Sequence, residues 1–331
     1  MLMKHGGDIT QAMAQFGGTR ESWLDCSTGI NPRAWPIPHV LPDTIWQKLP
    51  TEADEMALLD AARAAYRVPN DVAVVAAPGT QALIQWLPRL AVDGPVAILT
   101  PSYSEHAVNW CESGNEVIAI NSIDAIPEQA RHVVLVNPNN PDGRIVDLAA
   151  LARTASIVAK RDGWLIIDEA FADVVPAISA VGLCARYPVV ILRSFGKFYG
   201  LAGLRLGFAL ASPPIANQIK KALGPWACSG PALMIGATAL RDDTWANATR
   251  AWLTQQADAL DDVLQQAGFT TAGGTSLYRL VRHHDALAIH EQLAVQHIWC
   301  RRFDWDKSVL RFGLPKDEAS LARLAAALAH R

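Results

Sequence analysis

Cysteine is scarce and poorly placed for cross-linking. The five in 331 residues, Cys26, Cys111, Cys184, Cys228 and Cys300, are odd in number, far apart and never in a C-x-x-C pair. That spacing argues against a disulfide framework and a zinc site, so reduced, mostly buried thiols and no bound metal are expected. Charge is sparse too: 18% of residues are charged, the net is −3, and both signs are spread along the chain. Nucleic acid would need a basic stripe and a membrane surface a polybasic cluster; neither is present, which leaves a small molecule as the expected partner. No run approaches the ~20 apolar residues that span a bilayer. The opening MLMKHGGDIT also lacks the apolar core of a signal peptide, so the cytoplasm is the expected compartment.

Apolar residues, by contrast, make up 50% of the chain, enough for a sizeable core. After a Gly- and Pro-rich start with one helical patch at 9–16, apolar runs alternate with helical spacing. Strands are expected at 72–76, 96–99, 116–120, 133–136, 164–167, 189–193 and 205–210, and helices at 54–66, 80–92, 103–113 and 147–160. Such alternation predicts an α/β fold whose mostly parallel sheet is covered by helices on both faces, with ligands at the carboxyl ends of the strands. Past Gly224 the pattern changes to helices at 231–240, 245–267, 285–295 and 317–330 with short strands near 276–281, 297–301 and 308–312. The expected division is an arm over 1–40, a large α/β/α domain over 41–228 and a smaller α+β domain over 229–331.

The most informative stretch is Val189 to Phe208, VVILRSFGKFYGLAGLRLGF. A buried strand runs into a turn carrying Ser194, Lys197 and Arg205, a hydroxyl, an amine and a guanidinium spaced to meet one phosphorylated ligand. An amine that forms an imine must be neutral part of the time, which a lysine beside cations and away from water achieves. A hydroxyl and a forked cation would hold a phosphate through charge-assisted hydrogen bonds of roughly 1.5–3 kcal/mol each. The plain alternative is a loop with one solvated lysine and a structural arginine. This segment resembles the Schiff-base lysine region of fold type I pyridoxal 5'-phosphate (PLP) enzymes, the aspartate aminotransferase superfamily.

Four other strand ends carry residues of matching chemistry. Pro78-Gly79-Thr80-Gln81 opens a helix whose N–H groups and Thr80 hydroxyl suit a phosphate, although a Thr N-cap in an ordinary turn reads the same way. Tyr103, in TPSYSEH, can lie flat on an aromatic ring or simply cover the core. Asn137-Pro138-Asn139-Asn140-Pro141-Asp142-Gly143 is a turn richer in Asn than turning requires, and Asn140 is placed to donate to a phenolic oxygen. Asp168 ends a fully apolar strand; it either caps the next helical turn or pairs with a cation. A protonated pyridine nitrogen at ~4 Å would contribute about 4 kcal/mol at an effective dielectric near 20.

The resemblance covers these motifs in type, order and spacing from the start of the chain to Arg311, and it implies roles. Lys197 would be the Schiff-base lysine, Asp168 the pyridinium partner, Asn140 the O3′ ligand and Tyr103 the stacking ring. Gly79, Thr80, Ser194 and Arg205 would cradle the cofactor phosphate, while Arg311, in VLRFG, would clamp a substrate carboxylate. His5-Gly6-Gly7, Ser27 to Pro32 including Gly29 and Asn31, DEAF at 168–171 and Pro225-Trp226 look most like the branch that decarboxylates L-threonine O-3-phosphate. That branch is close to the histidinol-phosphate aminotransferases, and it implies a phosphorylated amino-acid substrate, a homodimer, and His5 and Arg301 as receivers of the substrate phosphate, with Arg302 adjacent. Two departures stand out. Phe171 replaces the more usual tyrosine, which favours the decarboxylase branch, and Leu49-Pro50 stands where many relatives place a Tyr-Pro that reaches the neighbouring subunit. The alternatives are an aminotransferase acting on histidinol phosphate or a related amine, separable by its need for a keto acid, and a PLP-binding regulator, for which no DNA-binding segment is visible.

Overall fold

The structure, a computed structural model, describes residues 6–329. The chain divides into two compact units: a larger one of residues 34–140 and 144–246, and a smaller one of the residues to Arg33, Pro141–Gly143 and the residues from Asn247.

After helix Thr10–Phe16 the chain forms the short strand β1 (Leu24–Cys26) of the smaller unit and then the larger unit's strands. These are β2 (Ala73–Ala77), β3 (Val96–Leu99), β4 (Val117–Ile120), β5 (His132–Val136), β6 (Leu165–Asp168), β7 (Val189–Ser194) and β8 (Gly207–Ala211). They build one sheet in the order β2-β8-β7-β6-β5-β3-β4. Neighbours from β7 to β4 are parallel, whereas β8 runs antiparallel to both β7 and β2. Two reversals restore direction, so β2 points the same way as β7. The carboxyl ends of β2, β3, β5, β6 and β7, and the start of β8, therefore share one edge.

Alternation along the strands decides which side chains go where. Val75, Val96, Ile98, Ile166, Val190 and Leu192 pack with Leu83, Trp110 and Ile219 from helices Thr80–Leu90, Ser104–Glu112 and Pro213–Leu223. The intervening Leu165, Ile167, Ile191 and Phe208 are just as fully buried, so both faces are covered. Each such side chain contributes about 1.5–3 kcal/mol by leaving water. Helix Glu52–Ala65 starts two residues before the expected Asp54, because Thr51 and Asp54 form a capping box that satisfies each other's backbone N–H groups.

The smaller unit adds β9 (Thr270–Thr275), β10 (Tyr278–Arg282), β11 (Ile298–Arg302) and β12 (Val309–Gly313), in the order β1-β11-β12-β10-β9. All pairs are antiparallel except β1 with β11. Within this unit helix Thr10–Phe16 packs on helix Ala286–Val295, with Ile9, Ala12, Trp23 and Ala294 buried together. β1, β9 and helix Pro213–Leu223 go beyond the sequence expectations. β1 is only three residues long, TTAGGT carries two glycines that read as loop, and the Ser-Pro-Pro start of the helix comes after β8 with no intervening loop.

Candidate active site

Within the larger unit the shared strand edge gathers the predicted cofactor residues. Asp168 closes β6 and points to the face of helices Thr80–Leu90 and Ser104–Glu112, in step with Ile166. It is 3% exposed; one oxygen lies 3.0 Å from His106 Nε2 and the other accepts the Ala170 N–H at 3.0 Å. The sequence pattern does not single out His106. The available signal is its place one helical turn after Tyr103, on the same side of the helix.

Tyr103 precedes helix Ser104–Glu112, with its ring edge-on to His106 at 6.2 Å and its hydroxyl donating to Gln81 Oε1 at 3.3 Å. Burial, with the Glu105 and Asp168 carboxylates, pushes its phenol up to about 12, against the opposing pull of Arg205. It is a neutral aromatic surface at physiological pH. Tyr103 also packs against the apolar core, so covering the core and presenting a ring are compatible roles.

Thr80 is the first residue of its helix rather than the cap. The cap is Gly79, at φ 82°, and no side chain closes that helix end. A Cβ on Gly79 would sit 2.7 Å from Arg205 Nη2, so only glycine lets the guanidinium lie against this turn. Arg205 is not in a strand, as the sequence suggests, but in a left-handed turn at φ 53°, ψ 59° just ahead of β8. Ser194 ends β7 on the Asp168 face, since it alternates with Leu192 and Val190. Lys197 comes next in the short helix Phe195–Phe198, with its Nζ 5.7 Å from the centre of the buried Phe171 ring.

The Asn-rich turn is more structural than its composition suggests. The Asn137 side chain exchanges bonds with the backbone of Val146, at 3.0 and 3.3 Å. Asn139 accepts from Ser102 Oγ at 2.9 Å and donates to the Pro101 carbonyl at 2.9 Å, tying the turn to the Tyr103 loop. Asn140 is half-buried.

These residues suit a phosphorylated aromatic cofactor. A helix start without a side-chain cap, the Thr80 hydroxyl and the Arg205 guanidinium lie beside Gly79, and a buried carboxylate and a phenol lie along the same edge.

The smaller unit holds the predicted substrate residues. Arg311 is 7% exposed; its Nη2 donates to the Ser27 carbonyl at 2.8 Å and its guanidinium lies 5.1 Å from the centre of the Tyr278 ring. Arg301 is its direct cross-strand partner, so the two side chains emerge on one face. Burial pushes Arg311 down to about 10; Tyr278 opposes that and Arg301 adds to it. Burial also lowers Arg301. Arg302 alternates with Arg301 along β11, and its charge acts on His290.

Nearby, Ser27 is fully buried, with its hydroxyl donating to Asp25 at 2.6 Å and accepting the Gly7 N–H at 2.9 Å. A Cβ at Gly6 would collide with the Ser27 carbonyl, which accounts for glycine in the HGGD segment. Gly29 and Asn31 are buried in the same loop, and Asn31 Oδ1 accepts the Arg33 N–H at 2.9 Å. His5 lies outside the described residues.

Comparison with known proteins identifies the family. The family model for aminotransferase class I and II matches residues 55–328. A threonine-phosphate decarboxylase from Sinorhizobium sp is 43% identical over 98% of this chain and 97% of its own. One from Pseudomonas aeruginosa is 38% identical over 99% and 97%. Among solved structures, the histidinol-phosphate aminotransferase from Sinorhizobium meliloti in complex with pyridoxal-5'-phosphate superposes with a TM-score of 0.84 at 21% identity, over 97% of this chain and 93% of that one. With a family model spanning most of its length and full-length relatives at this identity, the chain belongs to the class I and II aminotransferase family, with the fold type I architecture.

Proposed function

We propose that this protein is a pyridoxal phosphate-dependent lyase that decarboxylates L-threonine O-3-phosphate to (R)-1-amino-2-propanol O-2-phosphate, a step of cobalamin biosynthesis. The observation that carries the reading is the cross-strand pair Arg301 and Arg311. Two forked guanidiniums on one face can each hold an anion through paired, charge-assisted hydrogen bonds. A substrate with a carboxylate at one end and a phosphate at the other supplies both. The two near-full-length relatives with that activity in their names support the same substrate.

In this reading Lys197 is the covalent attachment point. Asp168 faces the ring nitrogen, Asn140 the phenolic oxygen and Tyr103 the ring, while Gly79, Thr80, Ser194 and Arg205 hold the cofactor phosphate. When bound, the cofactor supplies an aldehyde and an electron-poor ring that takes up the electron pair left at Cα as CO₂ departs. His106 holds the Asp168 carboxylate at 3.0 Å, so the acid would stay oriented towards the ring nitrogen. Arg311 grips the carboxylate, and Arg301, with His5, grips the distal phosphate. Binding energy remote from Cα would then let Arg311, Arg301 and His5 fix the orientation of the Cα–carboxylate bond for cleavage. Lys197 returns a proton to Cα once the carboxylate has left. Phe171 leaves Asn140 as the side-chain donor to the phenolic oxygen.

The protein is proposed to work as a cytoplasmic homodimer with the expected three-part division, an arm over 1–40, a large domain over 41–228 and a small one over 229–331. Leu49 and Trp226 are 65% and 60% exposed, and the neighbouring Pro50 lines with Trp226 a cavity of about 300 Å³, apolar surface suited to a second copy. No helix among the described residues is long and apolar enough to cross a membrane. Incubating the protein with threonine phosphate and PLP, with and without 2-oxoglutarate, tests the activity. CO₂ and aminopropanol phosphate without the keto acid are expected; conversion of histidinol phosphate only with the keto acid would replace this reading by an aminotransferase.

A further inference from the structure

None of the roles above uses Arg193, which is 2% exposed in the larger unit. Its guanidinium forks: Nη1 donates to Glu169 Oε2 at 3.0 Å and Nη2 to Asp173 Oδ1 at 2.6 Å, while its face lies 4.3 Å from the centre of the Tyr66 ring. Glu169 is fully buried and also accepts from Ser179 Oγ and the Ala180 N–H, each at 2.7 Å. Burial alone would lower the Arg193 pKa, but the Asp173 and Glu169 carboxylates hold it above its ordinary value. The arginine is therefore charged. Buried ion clusters of this kind are often no more stable than apolar packing of the same volume, so stability alone is a poor account of this one.

Strand alternation supplies a better account. Glu169 comes directly after Asp168, and Arg193 directly before Ser194, so these two cluster members are the covalent neighbours of proposed cofactor ligands and point to the opposite face. Phe208, the ladder partner of Arg193, confirms that face, since it packs on Tyr66 at 5.6 Å. The Arg193–Glu169 bond thus bridges the ends of β6 and β7 where the Glu169 N–H meets the Leu192 carbonyl at 2.8 Å. Immediately beyond Ser194 the chain turns into Phe195–Phe198, which carries Lys197. Whatever holds Arg193 holds the start of that turn.

We propose that Arg193, through Glu169 and Asp173, is a positioning residue: it clamps the ends of β6 and β7 from the far face, so that the Asp168 carboxylate and the Ser194–Lys197 turn keep their spacing. The proposal rests on the cofactor roles assigned above. An acid and a base on adjacent strand ends fix relative height and twist more sharply than apolar contacts, because a forked guanidinium tolerates little angular change.

The variants Glu169→Gln and Arg193→Lys keep side-chain volume and some hydrogen bonding, and both are compared with wild type in four measurements. These are PLP affinity by quenching of tryptophan fluorescence, the pH midpoint of the bound cofactor's visible absorbance, amide hydrogen exchange of residues 194–198 in the apoprotein, and kcat and KM for threonine phosphate. The expected result is exchange at 194–198 and PLP dissociation each raised about tenfold or more, a displaced spectral midpoint, and kcat lowered about tenfold or more with KM nearly unchanged, since small misplacement of reacting groups acts on turnover. Combining the two substitutions should cost little more than the worse single one, because both break one clamp. Lowered apoprotein melting with wild-type exchange, PLP affinity and spectral midpoint would overturn the proposal and leave the cluster a purely structural one. If wild type fails to release CO₂ from threonine phosphate, the substrate reading fails, while exchange, affinity and spectrum still judge the clamp.

Discussion

Acidifying this protein from pH 7 to 5 should cost about 2 kcal/mol of stability through His290 alone. His290 sits on helix Ala286–Val295, 2% exposed, with its Nε2–H donating to the Cys300 carbonyl at 3.2 Å. Burial disfavours the imidazolium, the Arg302 charge repels it, and the carbonyl offsets only part of this, so the pKa falls from 6.5 to about 4. Because the folded state binds the proton less readily than the unfolded chain, the contribution is complete above pH 6.5 and disappears as the pH falls towards 4. The full interval of 2.5 pH units corresponds to about 3 kcal/mol at 1.36 kcal/mol per unit. Denaturant unfolding at pH 7, 6 and 5, for wild type and His290→Gln, isolates the effect from the other titrating groups. The glutamine amide can still donate to the Cys300 carbonyl but cannot take up a proton. Its stability should fall by about 2 kcal/mol less than wild type between pH 7 and 5, a difference of about 3 °C in melting temperature. Parallel pH dependences would refute the reasoning. Arg301 is the next residue after Cys300, so the same titration should loosen the strand that carries the proposed phosphate anchor.

Lys197→Ala should abolish the visible absorbance of the bound cofactor that borohydride normally traps; reduced cofactor mapped to Lys220 or Lys221 would mean that Lys197 is not the attachment point. Phe171 lies within 5.7 Å of Lys197 Nζ, so Phe171→Tyr should add a hydrogen bond to the phenolic oxygen worth about 0.5–1.5 kcal/mol and lower the pH midpoint of the cofactor's absorbance. An unchanged titration in a folded variant would place that ring's edge away from the cofactor. Arg301→Ala removes a forked contact to the substrate phosphate and should lower kcat/KM by about 30- to 150-fold, equivalent to 2–3 kcal/mol, with kcat falling as well as affinity. Chromatography of the products should show more pyridoxamine phosphate per CO₂ released. A pure KM effect would show that the distal anchor does not orient the reacting bond.

What the sequence by itself determined is local. Apolar runs of four to six residues ending in Thr80, Tyr103, Asn140, Asp168 and Ser194 were readable as strand ends bearing polar groups, because turn chemistry and period-two burial depend on near neighbours. Arg311 was likewise visible in its short apolar strand. Tertiary structure alone decided which distant groups meet. His106 reaches Asp168 across 62 residues and Arg193 reaches Glu169 across 24, both set by the parallel register of strands and helices rather than by any local pattern. The same holds for the arginines: adjacent in sequence, Arg301 and Arg302 are equivalent until the pairing of β11 with β12 turns one towards Arg311 and the other towards His290. Even the role of the Asn-rich turn emerges only in three dimensions, where the Asn137 and Asn139 side chains hold the turn itself. Register is a property of the whole sheet, since a shift of one residue would reverse every side chain at once, and it is settled by burial summed over both faces.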